Sequence, residues 1–224
     1  MSLYDTISNA IPCRQCEDIA KGILFLASQN MQRAEITKII LSRQEERYSR
    51  IDFTEGFVSY GFTPGISPTF GSVNGRVKAV LFLSYTCAYC SVMYNTVKEL
   101  ALKYKNEISL TIKHMASTTN DPYARAALAA QARGKYADMA DLLFTTNTAT
   151  KDIYGFAQKI DIDMETFKKD MESSNIIAQL ASDIDDSTRV YVTGTPALFI
   201  NGKRFRGSAQ MASNLITQQI GIKP

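Results

Sequence analysis

The sequence predicts an α/β protein, a sheet flanked by helices, and three features indicate it. The apolar run at 80–83 is typical of a buried strand, and helical periodicity begins soon after it. The loop at 192–196 leads into an apolar strand, an Asn201-Gly202 turn and a second strand, which is the pattern of a β-hairpin. Between these regions the composition favours several helices. A chain of 224 residues can hold one domain of ordinary size and an accessory segment.

Residues 1–66 are predicted to form a separate helical segment followed by a linker. Apolar positions recur at helical spacing over 17–27 and 31–51, and charges are dense around the second stretch. Two helices with such wide apolar faces cannot bury them fully against each other, so they must dock elsewhere or pair between chains. Residues 57–76 carry six glycines and prolines, which predicts a linker or lead-in with little regular structure.

The motif Cys87-Ala88-Tyr89-Cys90 lies where the buried strand turns into a helix. The helix is indicated independently by apolar residues three and four positions apart, namely Tyr94, Val97, Leu100, Ala101 and Tyr104. Unpaired N–H groups in the first turn of a helix favour an anion, such as a thiolate at Cys87. We therefore predict Cys87 as the nucleophile and Cys90, one turn later, as the resolving thiol. A structural disulfide and half of a metal site are the alternatives.

The middle of the chain is predicted to be a strand followed by helices. An apolar strand is expected at 108–115, and helical composition then runs from Tyr123 through Phe144. Three further helical segments follow, at 153–160, 164–171 and 176–190. Together they amount to a helical region at about 118–190, between the strand and the loop that contains Thr195.

A C-x-x-C after an early strand, with Thr195-Pro196 opening a late hairpin, resembles the thioredoxin superfamily. The helical insertion resembles its DsbA-like branch, over about residues 67–221. The resemblance implies a thioredoxin-like catalytic domain at 67–224, preceded by the N-terminal helical segment. It also implies that Pro196 is cis and lies against the redox pair, and that the main chain of Thr195 binds an extended substrate strand.

The residues around the motif depart from those of DsbA-type oxidases. Those oxidases carry Pro-His between the cysteines, an acidic residue six positions before the nucleophile and valine before the cis proline. This chain has Ala88-Tyr89, Leu81 and Thr195 at these places. Tyr89 supplies no cation to hold a thiolate, which implies a less oxidising couple. These differences favour a disulfide isomerase that reshuffles non-native disulfides. The alternatives are a net dithiol oxidase and a non-enzymatic copper-binding or chaperone protein, since thiolates bind copper(I).

The layout also resembles oligomeric bacterial disulfide isomerases of the suppressor-of-copper-sensitivity type (ScsC), whose N-terminal segments trimerise. The resemblance implies a homo-oligomer, with a trimer favoured, that acts on disulfide-containing proteins. It further implies a membrane redox partner that maintains the active-site redox state, and no metal or cofactor. The expected compartment is the periplasm. Met1-Ser2-Leu3 is not followed by an apolar segment that could act as a signal peptide. Either the protein is cytosolic or, as the expected periplasmic location implies, a signal peptide has been removed.

Composition excludes two classes of function. A net charge of +3 without a long basic run argues against nucleic-acid binding. No apolar stretch reaches the ~18–20 residues that a membrane span requires.

Four further side chains are candidates for a role. His114 is the only histidine, and we expect it to be structural. Lys113 lies either near the active-site helix or exposed to solvent at the end of its strand. Cys13 and Cys16 open a predicted helix, where a second redox pair, a structural disulfide and an idle pair all remain open.

Overall fold

The computed structural model describes residues 24, 27–28, 30–38, 55–145 and 151–222. Residues 33–38, which lie within a predicted helix, are helical, and Ile36 among them is buried. The rest of the predicted N-terminal helices, including Cys13 and Cys16, lies outside the described residues. Within the described part, no helix has the length and apolar character needed to span a membrane.

A six-stranded mixed sheet forms the centre of the molecule. Its strands are β1 (Glu55–Ser59), β2 (Thr69–Gly71), β3 (Val77–Leu83), β4 (Ile108–His114), β5 (Ala197–Ile200) and β6 (Lys203–Phe205). Their order across the sheet is β1-β6-β5-β3-β4-β2. Strands β3 and β4 are parallel, and all other neighbours are antiparallel.

Helices cover the sheet and extend beyond it. In chain order they are α1 (Ala88–Lys103), α2 (Pro122–Ala132), α3 (Tyr136–Thr145), α4 (Ile153–Lys159), α5 (Met164–Met171), α6 (Ser174–Arg189) and α7 (Ala209–Gln219). Helix α1 connects β3 to the parallel strand β4, while α2 to α6 are inserted between β4 and β5. The predicted α/β architecture with a helical insertion is therefore confirmed.

The apolar run before the motif forms a central strand because both of its faces are covered. Leu81 and Leu83 pack in the main core, which also contains the buried residues of α1 and of the insertion. Val80 and Phe82 face a second, smaller core that includes Phe199 of the neighbouring strand. A strand that is covered on both sides has no need of alternating polar residues, which explains the near-continuous apolar sequence.

The helical segment expected from Tyr123 through Phe144 is interrupted in the structure. Helix α2 ends before Gly134, which has φ +68°. The Lys135 N–H donates to Ala130 O at 2.8 Å and the Gly134 N–H to Gln131 O at 2.9 Å, the pattern of a Schellman motif. Helix propensity alone did not reveal the break, because a single glycine can also be tolerated within a helix.

The prediction that residues 57–76 have little regular structure holds for most of the segment, but residues 57–59 belong to β1 and residues 69–71 form β2. Strand β1 pairs with β6, and β2 pairs with β4 at the other edge of the sheet. Such short edge strands are held by main-chain hydrogen bonds, so they form without the apolar run that would reveal them in the sequence. Gly71 permits a close approach rather than a flexible link, since a Cβ there would lie 2.1 Å from Ile108 O. Helix α7 was also not predicted.

Candidate active site

The Cys87-Ala88-Tyr89-Cys90 motif lies at the junction between β3 and α1, as predicted. Cys87 is the N-cap residue, with extended backbone angles, and α1 begins at Ala88. The Cys87 N–H donates to Ser84 O at 3.1 Å, which closes a tight turn between strand and helix. Cys87 is half-buried, and Cys90 is fully buried. Ala88 and Tyr89 between them are exposed, with 79% of Tyr89 accessible.

The Cys87 thiol points to the loop before β5. Its S–H donates to the main-chain oxygen of Thr195 at 3.3 Å. The side chain makes no capping hydrogen bond with the N–H groups of α1. The structure therefore places Cys87 at the helix terminus, where the dipole favours an anion, but gives the thiol a different partner from the predicted one.

The environment of Cys90 keeps its thiol protonated. Burial is the largest effect, and with the hydrogen bond to Cys87 it raises the pKa of Cys90 to about 12. Hydrogen bonds from the Thr195 side chain and the Ser84 main chain act in the opposite direction and lower this pKa. At neutral pH Cys90 is thus a buried thiol beside the half-exposed Cys87.

The loop containing Thr195 and Pro196 lies beside the two cysteines because of strand pairing. Phe82, near the end of β3, is opposite Ala197, the first residue of β5. This register brings together segments that are 108 residues apart in the chain. The Thr195–Pro196 peptide bond is cis, and both residues are half-buried.

A groove of about 320 Å³ opens next to this loop. It is lined by Met93, Pro196, Ala197, Leu198, Arg204, Phe205, Arg206 and Gly207. The Arg204 guanidinium donates to Tyr191 O at 2.9 Å and lies 5.9 Å from the centre of the Phe199 ring. Sequence reasoning missed the groove because its walls come from α1, β5 and the end of β6, which only the folded chain brings together.

Lys113 and His114 are both buried at the end of β4. Lys113 Nζ lies 3.0 Å from Asp183 Oδ1 and 2.9 Å from Asp186 Oδ2, both in α6. The prediction of a solvent-exposed strand-end lysine is therefore wrong. His114 Nδ1 lies 3.2 Å from Asp183 Oδ2, as expected for a histidine held within the fold.

Comparison with known families and structures identifies the class of protein. A family model described as thioredoxin matches residues 64–216, which include the cysteine motif and the Thr195-Pro196 loop. The chain therefore belongs to the thioredoxin family. Over the matched region, the fold predicted from the two motifs is confirmed.

Several solved structures have the same overall fold. A thioredoxin-like oxidoreductase from Silicibacter pomeroyi DSS-3 is 23% identical, with a TM-score of 0.60 over 70% of this chain and 93% of that one. The thiol-disulfide exchange protein α-DsbA2 of Wolbachia pipientis is 22% identical, with a TM-score of 0.60 over 68% and 87%. A linker-deletion variant of ScsC from Proteus mirabilis is 16% identical, with a TM-score of 0.57 over 95% and 99%. These similarities confirm the DsbA-like form of the fold.

A different kind of relative is found among curated proteins. The Na⁺/H⁺ antiporter NhaA 1 of Salinispora arenicola is 31% identical over 144 residues, which are 62% of this chain and 22% of the antiporter. The chain thus spans about a fifth of the length of the curated relatives that it matches first.

Proposed function

We propose that this protein is a thiol-disulfide oxidoreductase that acts on proteins, chiefly as a disulfide isomerase. The observation that carries the proposal is the contrast between the two cysteines. Cys87 is half-exposed at a helix N-terminus, whereas Cys90 is buried with its pKa raised to about 12. A nucleophile that substrates can reach is therefore paired with a resolving thiol that is seldom ionised.

In the first step the Cys87 thiolate attacks one sulfur of a substrate disulfide. The substrate S–S bond breaks, a mixed disulfide forms, and the other substrate sulfur leaves as a thiolate that takes up a proton. Cys87 no longer carries the S–H that donated to Thr195 O. This carbonyl then becomes able to accept from a main-chain N–H of the bound substrate, as in strand addition.

The mixed disulfide has two outcomes. Attack by Cys90 releases a reduced substrate and leaves a Cys87–Cys90 disulfide. Attack by a second substrate thiolate releases a rearranged substrate disulfide and restores the dithiol. Because the high pKa of Cys90 slows its own attack, the second outcome has time to occur. This competition favours isomerisation over a net change in oxidation state.

Refolding of a protein with scrambled disulfides tests the proposal. We expect the wild type to restore native pairing and Cys87→Ser to be inactive. Cys90→Ser should accumulate mixed disulfides that mass spectrometry detects. An active Cys87→Ser variant would disprove the assignment of the nucleophile. Oxidation of a reduced substrate that is much faster than reshuffling would instead identify a net oxidase.

We further propose that the N-terminal segment assembles the chain into a small closed oligomer, with a trimer favoured. The predicted helices of this segment have apolar faces too wide to bury against each other, and Leu24 among their residues is 70% exposed. Several active sites on one assembly raise the local concentration of thiolate around a misfolded substrate. Disulfide-containing proteins would be the substrates, a membrane protein would maintain the redox state, and the periplasm would be the compartment.

Light scattering tests the assembly. The full chain is expected to have the mass of three copies, and a chain lacking residues 1–54, which keeps β1, the mass of one. The shortened chain should retain dithiol chemistry and lose most of its isomerase activity. A monomeric full chain would contradict the assembly while leaving the thiol chemistry intact.

A further inference from the structure

A chain of buried hydrogen bonds leads from α6 to the loop before the redox motif, and the proposed reaction does not use it. Its centre is the Asp183 carboxylate, which is fully buried. Asp183 accepts from the main-chain N–H of His114 at 2.9 Å, from Gln179 Nε2 at 2.8 Å and from Lys113 Nζ at 3.0 Å. Its oxygens are thus held by donors from both β4 and α6.

Asp183 fixes the orientation of the imidazole of His114. Burial by itself would raise the pKa of Asp183, but the hydrogen bond and charge of His114 and the charge of Lys113 outweigh it and leave this pKa lowered. Asp183 is therefore a permanent anion at neutral pH. A carboxylate can only accept hydrogen bonds, so the Nδ1 of His114, 3.2 Å away, carries a proton.

The other ring nitrogen of His114 reaches the loop next to the cysteines. His114 Nε2 lies 3.3 Å from the hydroxyl of Tyr85, and the hydroxyls of Tyr85 and Tyr136 share a hydrogen bond of 2.9 Å. Burial raises the pKa of Tyr85 well above its usual value, so its hydroxyl remains neutral. Because a buried hydroxyl is costly without partners, these two contacts hold the Tyr85 side chain in one position.

Tyr85 stands two residues before the nucleophile, directly after Ser84. The Ser84 carbonyl accepts from the Cys87 N–H at 3.1 Å, and the Cys87 carbonyl in turn accepts from the Cys90 N–H at 3.1 Å. The Ser84 main chain is also among the groups that lower the pKa of Cys90. A displacement of Tyr85 would move Ser84 with it, since the two share a peptide bond.

We propose that Tyr85 and His114 are positioning residues for the resolving step: the buried His114–Asp183 pair, acting through the Tyr85 hydroxyl, holds the turn from Ser84 to Cys87, which places the two cysteine sulfurs for the attack of Cys90. The inference rests on the proposed function, because it concerns the attack of Cys90 on a mixed disulfide. Ionisable groups near this hydrogen-bond network also influence the pKa values of Tyr85, Tyr136, Cys90 or Asp183. They include Lys113, Cys87, Tyr94, Asp121 and Asp141.

The test is a single turnover of the full-length protein. Cys87 of the reduced protein attacks dithionitrobenzoate, which breaks the reagent's S–S bond, forms a mixed disulfide and releases a first nitrothiobenzoate. Attack by Cys90 on the Cys87 sulfur then forms the Cys87–Cys90 disulfide and releases the second nitrothiobenzoate, whose rate is the one measured. Cys13 and Cys16 are replaced by serine, so that both releases come from this motif. The release rate is followed against pH for the wild type and for Tyr85→Phe, which lacks only the hydroxyl. We expect release from Tyr85→Phe to be roughly three- to tenfold slower near neutral pH, the effect of about one hydrogen bond. Its pH profile should move to higher pH. The Ser84 main chain lowers the pKa of Cys90, and a displaced Ser84 would lower this pKa less.

A second variant removes the other partner of the contact between the Tyr85 hydroxyl and His114 Nε2. Asparagine at position 114 keeps a donor near the place of Nδ1 but has no group at the place of Nε2. His114→Asn should therefore shift the pH profile in the same direction as Tyr85→Phe. It decides the question if Tyr85→Phe does not fold. In both variants the fall in the release rate should exceed any fall in the rate at which the reagent loads Cys87, which separates positioning for the resolving step from a general loss of structure.

Tyr94→Phe is the matched control. Tyr94 is fully buried in the same aromatic cluster, and its hydroxyl has no hydrogen-bond partner among the residues that the structure describes. It should release the nitrothiobenzoate as the wild type does. If Tyr85→Phe and His114→Asn match Tyr94→Phe in rate and pH profile, the inference is overturned and the proposed function stands. If the wild type loads but never releases the group, the proposed thiol exchange itself fails.

Discussion

Replacing Lys113 by methionine should be among the most destabilising single changes in this fold. The ammonium is fully buried between two carboxylates of α6, 3.0 Å from Asp183 and 2.9 Å from Asp186. The Asp183 side chain has no exposed surface, and that of Asp186 is 13% exposed. Methionine has a similar length but no charge, so the variant leaves two neighbouring anions without their shared cation.

The expected loss follows from this burial. Removing one partner of a buried ion pair costs about 3–5 kcal/mol, because the remaining charge stays desolvated and uncompensated. A loss of this size is a large part of the about 5–15 kcal/mol that stabilises a typical domain. For a protein of this length, it corresponds to a fall in melting temperature of about 6–20 °C.

The effect should depend on pH in a defined direction. The pKa of Asp183 is lowered in the folded state, so its ionised form contributes stability above the unfolded pKa of about 3.9, and this contribution disappears as the pH falls through the lower folded value. In Lys113→Met the carboxylate is no longer paired with the ammonium. The difference in unfolding free energy between wild type and variant should therefore be full at neutral pH and shrink in acid.

Urea unfolding at several pH values measures these quantities. Asp183→Asn added to Lys113→Met should recover part of the loss, since a neutral amide replaces the unpaired anion. The control is Arg76→Met, which breaks an exposed pair with Glu107 at 2.7 Å and should cost no more than about 1 kcal/mol. If Lys113→Met costs no more than Arg76→Met, the buried pair is not holding α6 to the sheet as argued.

Three further predictions concern local features. Thr195→Val removes a hydrogen bond that lowers the pKa of Cys90, so this pKa should rise further and mixed disulfides should persist longer. Thiol titration measures the first effect and quenched mass spectrometry the second. An unchanged titration would contradict the contact between Thr195 and Cys90. Asp121→Ala removes the N-cap of α2, whose carboxylate accepts from two N–H groups at 3.0 and 2.8 Å, and should cost about 1 kcal/mol in urea unfolding, with a value near zero as the contrary result. Gly134→Ala should cost about 1–2 kcal/mol through backbone strain alone, because φ is +68° and no atom lies within 4 Å of the added Cβ; a neutral or stabilising change would disprove this reasoning.

The parts of the fold that depend on local sequence could be predicted. The strand before the motif, the start of α1 and the hairpin turn follow from runs of a few residues. Asn201 and Gly202 both adopt positive φ, as an Asn-Gly turn requires. The edge strands β1 and β2 could not be predicted in this way. Their stability comes from pairing with distant strands, and each strand is too short to show a clear apolar pattern in the sequence.

The candidate site divides along the same line. The proximity of Cys87 and Cys90 was predictable because one helical turn separates them. The position of Thr195 and Pro196 beside them was implied by the family resemblance. The groove was not predictable, since residues such as Met93, Leu198 and Arg206 come from separate elements. Tyr85 carried no distinguishing signal, since it lies between two other residues with hydroxyl groups, Ser84 and Thr86, and nothing in the sequence identifies its partners.

By itself, then, the sequence determined that two cysteines lie close together at the start of a helix, the order of the central elements and the DsbA-like form of the chain. Each of these depends on short-range patterns or on recognisable motifs. Only the tertiary structure decided which charged side chains are buried and which partners they have. Lys113 and Asp183 are 70 residues apart, and in sequence each reads as an ordinary surface residue. The packing of α6 against β4 buries both side chains, and a buried charge requires a partner of opposite sign. The chain's one histidine and the loop before Cys87 are held in place around that pair.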